Sequence, residues 1–87
     1  MSDTGNAAFE KAAQDARTLP KSTSNADLLE IYALYKQGTV GDNTTDRPGL
    51  FDPTGRAKWD AWTAKKGLSK EDAQAQYIAF VNQKLGA

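Results

Sequence analysis

The chain has 87 residues, enough for one domain with a small core, and its 39% hydrophobic and 25% charged residues are ordinary for a globular protein. Eleven basic residues balance eleven acidic ones, so there is no net positive field of the kind that holds a protein to nucleic acid. Cysteine and histidine are both absent, which removes disulfides, thiol chemistry, the usual physiological general base and the commonest zinc ligand.

The N-terminal stretch MSDTGNAAFEKAA is acidic and lacks the apolar run of a secretory signal. No segment approaches the roughly 20 apolar residues that span a bilayer. The expectation is a soluble, cytoplasmic protein.

Residues 7–19 carry Phe9, Ala12, Ala13 and Ala16 at helical spacing and predict a first helix. Its stripe is mostly alanine, which lets another backbone or a ligand come close. Pro20 ends it, because proline cannot donate the next backbone bond. Arg17, near its end, favours the helix dipole.

Ser24-Asn25-Ala26-Asp27 has capping-box spacing and opens a second helix that runs from about Asn25 to about Thr39. At about 100° per residue, Leu28, Tyr32, Tyr35 and Thr39 share one face, and Ile31, Leu34 and Gly38 another. A surface helix needs one apolar stripe. The surplus stripe holds two phenols, with Lys36 one turn beyond Tyr32. Two readings fit that spacing equally. In the plainer one the helix packs on two sides, with the phenol hydroxyls and the lysine reaching water at the rim. In the sharper one, Tyr hydroxyl and Lys ammonium together donate to a phosphate.

Residues 42–54, DNTTDRPGLFDPT, hold two of the three prolines and predict a long ordered loop, pinned by Leu50 and Phe51. Asp42, Thr44 and Asp46 resemble the start of a calcium loop, but its glycine and final glutamate are not in place. Asp42, Asp46 and Asp52 fit turn and capping roles better than acid–base chemistry. Asp52-Pro53 caps a third helix over 53–66, with Trp59 and Trp62 as core and Gly67 as its stop. Lys58 either lies on a solvated face or meets Lys36 across a gap that an anion would fill. Ser69 to Asp72 repeats the capping logic and opens a fourth helix. Ala73, Tyr77, Phe80 and Val81 face its partner side, and Ile78 and Leu85 widen it. The fold class is all-α, a small four-helix bundle.

The segments YALYKQGTVGD (32–42), RPGLFD (47–52), KWDAW (58–62) and GLSKEDAQAQYI (67–78) closely resemble the acyl-CoA-binding protein family, in order and over essentially the whole chain. The resemblance implies an up-down-down-up bundle forming one acyl-CoA-binding domain over 1–87. It implies reversible, non-covalent binding, buffering and transport of medium- and long-chain acyl-CoA thioesters, with no cofactor and no reaction. By family pattern Tyr32, Lys36 and Lys58 hold the 3′-phosphate of the CoA head, and Leu28 and Leu29 lie near the adenine. Arg17 stands where a basic residue contacts the ligand. Ala13, Tyr35 and Tyr77 line the thioester and acyl region, and Trp59 supports the site from the core.

Three positions depart from the family pattern, and the connection LPKSTSNAD (19–27) places its proline differently. Gly38 replaces an alanine and is expected to loosen the end of the second helix, Thr54 stands where many members have a lysine, and Gln74 replaces a common methionine. The expected partner is fatty acyl-CoA, with transient contact to acyl-CoA-using enzymes or membranes and no nucleic acid. The expected state is a monomer. The competing reading, from a different class, is a helical protein-interaction module whose surplus stripe docks a partner helix.

Overall fold

The computed structural model describes residues 6–86. The first five residues of the acidic N-terminal stretch lie outside that range. Four α-helices follow one another: α1 (Ala7–Asp15), α2 (Asn25–Thr39), α3 (Pro53–Thr63) and α4 (Lys70–Gly86). Each starts at a side chain that accepts from an otherwise orphaned amide. Asn6 accepts from Phe9 N at 3.1 Å, Ser24 from Asp27 N at 3.1 Å, Asp52 from Gly55 N at 2.9 Å and Ser69 from Asp72 N at 3.1 Å. Pro53 opens α3 without losing a hydrogen bond, since its position has no helical partner for an N–H.

The first and third helices are shorter than their periodicity suggests. After Asp15 the chain tightens into a 3-10 turn, Ala16–Thr18, and Leu19 is extended, with ψ at 144°. The ring of Pro20 disfavours the helical conformation at the residue before it, so the helix unwinds early. Beyond Thr63, Lys65 N donates to the Trp62 carbonyl and Lys66 N to the Thr63 carbonyl. These tighter turns carry the chain to Gly67, whose φ of 92° ends the helical path.

Contacts between helices fix their directions. Gln74 near the start of α4 meets Gly38 near the end of α2, and Lys84 near the end of α4 pairs with Asp27 near the start of α2, so these two are antiparallel. Asn6, which caps α1, donates to Gln74, so α1 and α4 run together. Lys58 lies on Tyr32 and Trp62 on Lys36, so α2 and α3 run together. The bundle is therefore up-down-down-up.

Two parallel neighbours need a connection that recrosses the helix length, and the 40–52 segment supplies it. It is not pinned by Leu50 and Phe51, which are 77% and 102% exposed. Side chains of α3 hold it instead. Trp62 Nε1 donates to the Gly41 carbonyl at 2.8 Å, and Trp59 Nε1 donates to the Thr45 carbonyl at 3.0 Å. Asn43 Nδ2 donates to Thr63 Oγ1 at 3.0 Å, and Arg47 makes a two-pronged bond to Asp60 at 3.0 and 2.8 Å. Trp59 is thus a half-buried loop anchor and not core, while Trp62 is buried. An indole N–H needs an acceptor when it leaves water, and the loop backbone provides one to each ring.

The core between α1, α2 and α4 consists of Phe9, Ala12, Leu34, Tyr77 and Val81, with Ile31 and Ile78 packed against it. Leu85, expected to widen that face, is exposed. Gly38 lies where α2 meets its neighbours, and α2 runs unbroken past it to Thr39. A Cβ there would lie 3.1 Å from Gln74 Cγ and 3.3 Å from Phe9 Cζ, so glycine allows the close approach of α1 and α4. Gln74 Nε2 donates to the Gly38 carbonyl at 2.9 Å, and Asn6 Nδ2 donates to Gln74 Oε1 at 3.0 Å. The two departures at 38 and 74 are one joint.

Gln37 is 0% exposed. Its Nε2 donates to Asp42 Oδ1 and to the Leu68 carbonyl, both at 2.8 Å, while its Oε1 finds no partner among the described residues. Asp42 Oδ1 also accepts from Gly67 N at 2.9 Å. That amide first, and then Gln37, hold the Asp42 carboxyl below its ordinary range. Gln37→Ala opens a void and takes a donor from the Leu68 carbonyl and from Asp42, which keeps the Gly67 amide. It is expected to lower unfolding free energy by about 2–3 kcal/mol in urea denaturation.

Candidate functional site

Two clefts open on either side of α2, and Tyr32 and Tyr35, three residues apart, supply one phenol to each. The first, of about 430 Å³, is lined by Phe9, Glu10, Ala13, Gln14, Arg17, Tyr35 and Tyr77. The second, of about 390 Å³, is lined by Asn25, Leu28, Leu29, Tyr32, Pro53, Thr54, Ala57 and Lys58. Both fall within the usual size of small-molecule sites.

The first cleft has an aromatic floor. Phe9 stacks on Tyr35 at 5.7 Å between ring centroids, meets Tyr77 edge-on at 5.0 Å, and leaves the two phenols 5.8 Å apart. Such pairs stabilise by about 0.5–1.5 kcal/mol beyond the area they bury, so the floor is rigid. Burial and then the neighbouring Tyr35 push the Tyr77 phenol up to about 12. Glu10, Ala13 and Gln14 on α1, with Arg17 from the 3-10 turn that follows, give the cleft a polar wall.

The second cleft is apolar with one ammonium. Lys58 Nζ lies over the Tyr32 ring, 5.4 Å from its centroid. Lys36 lines neither cleft. Its Nζ lies over Trp62, 4.9 Å from the ring centroid. Each ammonium rests on an aromatic face of the neighbouring helix, a contact of about 0.5–1 kcal/mol where partly exposed.

The residues singled out from sequence are thus sorted in space. Ala13, Arg17, Tyr35 and Tyr77 fall in one cleft, and Leu28, Leu29, Tyr32 and Lys58 in the other. Lys36 sits beside α3, one turn beyond Tyr32 and next to Tyr35. Phe9, Glu10, Gln14, Asn25, Pro53, Thr54 and Ala57 complete the walls. Glu10 and Gln14 carried a usable signal, the i, i+3, i+4, i+7 spacing with Ala13 and Arg17, but only the apolar stripe of α1 drew attention. Among the described residues no group of three or more carboxylates is placed to hold a metal ion, and no helix is long and apolar enough to cross a membrane.

A family profile described as Acyl CoA binding protein matches residues 6–81. The chain belongs to the acyl-CoA-binding protein family. It is 60% identical over 75 residues to acyl-CoA-binding protein homolog 1 of Caenorhabditis elegans, covering 86% of this chain and 87% of that protein. The Saccharomyces cerevisiae acyl-CoA-binding protein is 52% identical over 75 residues, covering 86% of each chain. The crystal structure of Oryza sativa acyl-CoA-binding protein 2 superposes with a TM-score of 0.89 at 54% identity, covering 91% of this chain and 86% of that one. The four-helix architecture is that of the family.

The Tyr77 shift has a pH consequence. The unfolded chain releases this phenol's proton near 10, while the folded chain keeps it to about 12. Above pH 10 the unfolded state binds fewer protons than the folded one, so stability falls as pH rises through that window. Tyr77→Phe is expected to flatten the fall in thermal midpoint between about pH 10 and 12. A slope equal to that of the parent would show that Tyr77 does not cause it.

Proposed function

We propose that this protein is a non-catalytic carrier of medium- and long-chain acyl-CoA thioesters. The observation that carries the reading is the placing of two unlike clefts on successive turns of α2. One is aromatic-floored, and the other is apolar with an ammonium at its wall. A ligand with a phosphorylated head and an apolar chain matches such a pair. Family membership and the names of the relatives support the same choice.

In this reading Tyr32, Lys58 and Lys36 take the 3′-phosphate, and Leu28 and Leu29 flank the adenine. Ala13, Arg17, Tyr35 and Tyr77 face the thioester and acyl chain. An ammonium lifted from an aromatic face gives up about 0.5–1 kcal/mol and gains about 1.5–3 kcal/mol in a charge-assisted bond to phosphate. The resting cation–π contacts therefore hold the lysines near their targets without trapping them. Burial of a dozen methylenes contributes on the order of 10 kcal/mol before ordering costs, which favours any apolar groove. The phosphate contacts supply the preference for the CoA ester over the free fatty acid.

The chain acts as one domain, as a monomer in the cytosol, with transient contacts to acyl-CoA-using enzymes or membranes. It lacks histidine, cysteine and any base–nucleophile pair on the clefts, and neither reaction nor cofactor is part of this role. Calorimetric titration with long-chain acyl-CoA, CoA and free fatty acid is expected to rank them in that order of affinity. Equal weak binding of all three would reject the reading. Lys58→Ala and Lys36→Ala are each expected to weaken acyl-CoA about 10- to 100-fold and leave fatty acid affinity unchanged. Equal losses for both ligands would remove the phosphate role.

A further inference from the structure

The two most exposed large apolar residues among the described ones are adjacent. Leu50 and Phe51 occupy the two corners of a turn that Asp52 N closes by donating to the Gly49 carbonyl at 3.1 Å. Turn corners favour Pro, Asn, Asp, Gly and Ser, so two bulky apolar side chains run against local chemistry. Nor is the tip a loose loop that will fold back. Arg47 is held by both oxygens of Asp60 on one side, and Asp52 caps α3 on the other. Two residues further on, Pro53 and Thr54 form the wall of the cleft that holds Leu28, Tyr32 and Lys58. The tip and that cleft share an edge.

From this we infer that the Leu50–Phe51 tip inserts into the surface of a zwitterionic lipid bilayer. The occupant follows from shape and charge. A convex pair of side chains offers far less than the roughly 800 Å² per partner that a stable protein interface buries. A lipid surface accepts a bulky apolar pair at its headgroup boundary without needing a complementary pocket. Residues 46–56 hold two acidic and two basic side chains, so the segment has no net charge to steer it to an anionic surface. Resting on the acyl-CoA reading, the insertion also has a use. It brings the Lys58 cleft to the height at which the CoA head of a bilayer-embedded thioester emerges.

The test is flotation of the full chain with phosphatidylcholine vesicles, alongside solution calorimetry with acyl-CoA. Both residues are exposed, so the variants keep the fold, which circular dichroism checks. Phe51→Ser is expected to lower vesicle partitioning about tenfold, and Phe51→Leu to retain most of it. Solution affinity for acyl-CoA stays equal in all three. Equal partitioning of parent and Phe51→Ser overturns the inference, as does association that requires anionic lipid and ignores Phe51. A parent chain that does not float also overturns it and leaves the tip to a protein pocket. If partitioning depends on Phe51 while solution binding of acyl-CoA is absent, the tip stands and the carrier reading falls.

Discussion

Helices that are consecutive in sequence and parallel in space need a connection about as long as themselves. Between α2 and α3 that connection is the 40–52 segment, and four side chains of α3 hold it down: Trp59, Asp60, Trp62 and Thr63. Its first turn is tied back by Asp42, which gathers donors from Gln37 on α2 and from Gly67 in the turn leading to α4. The parallel arrangement is what sets Tyr32 beside Lys58 and Lys36 beside Trp62. With α3 reversed, Lys58 would stay near Tyr32, since both lie mid-helix, but Trp62 would move to the far end of α3 from Lys36. The site therefore depends on the crossover as much as on the residues that line it.

The electrostatics of the clefts are those of a holding device. Neither lysine is tied into an ion pair among the described residues that would have to be broken before a phosphate could bind. The ammonium groups of Lys36 and Lys58 rest on rings without such a pair, while Lys65 pairs with Glu30 at 2.7 Å and Lys84, itself over the Phe80 ring, pairs with Asp27 at 3.1 Å. Phe9, Tyr35 and Tyr77 form a mutually packed triad, so the floor of the first cleft is set by the same contacts that close the core.

Much of this was legible in the sequence. The serines at 24 and 69 and the Asp52-Pro53 pair marked helix starts because capping chemistry is local. The surplus stripe of α2 was visible because hydropathy has a period. Family resemblance, not periodicity, assigned Lys36, Lys58 and Tyr77 to one ligand. Gln37 was missed because a polar residue on a helix reads as surface, and its burial depends on acceptors at Asp42 and Leu68. Leu50 and Phe51 misled in the opposite sense, since apolar character says nothing about whether a turn points inward. Gly38 and Gln74 looked like separate departures because nothing along the chain reveals that residues 36 apart touch.

The joint at Gln74 also bears on how the molecule comes into being. Asn6 reaches across 68 positions to bond it, and the apolar side of α1 closes against Tyr77 and Val81 of the last helix. On a ribosome the first helix emerges long before its partner has been made. Until α4 clears the exit tunnel, Phe9 can meet Tyr35 of α2 but not Tyr77. Completion of the core thus waits until Tyr77 and Val81 have been made, and a chain stopped before Tyr77 would lack two of its members.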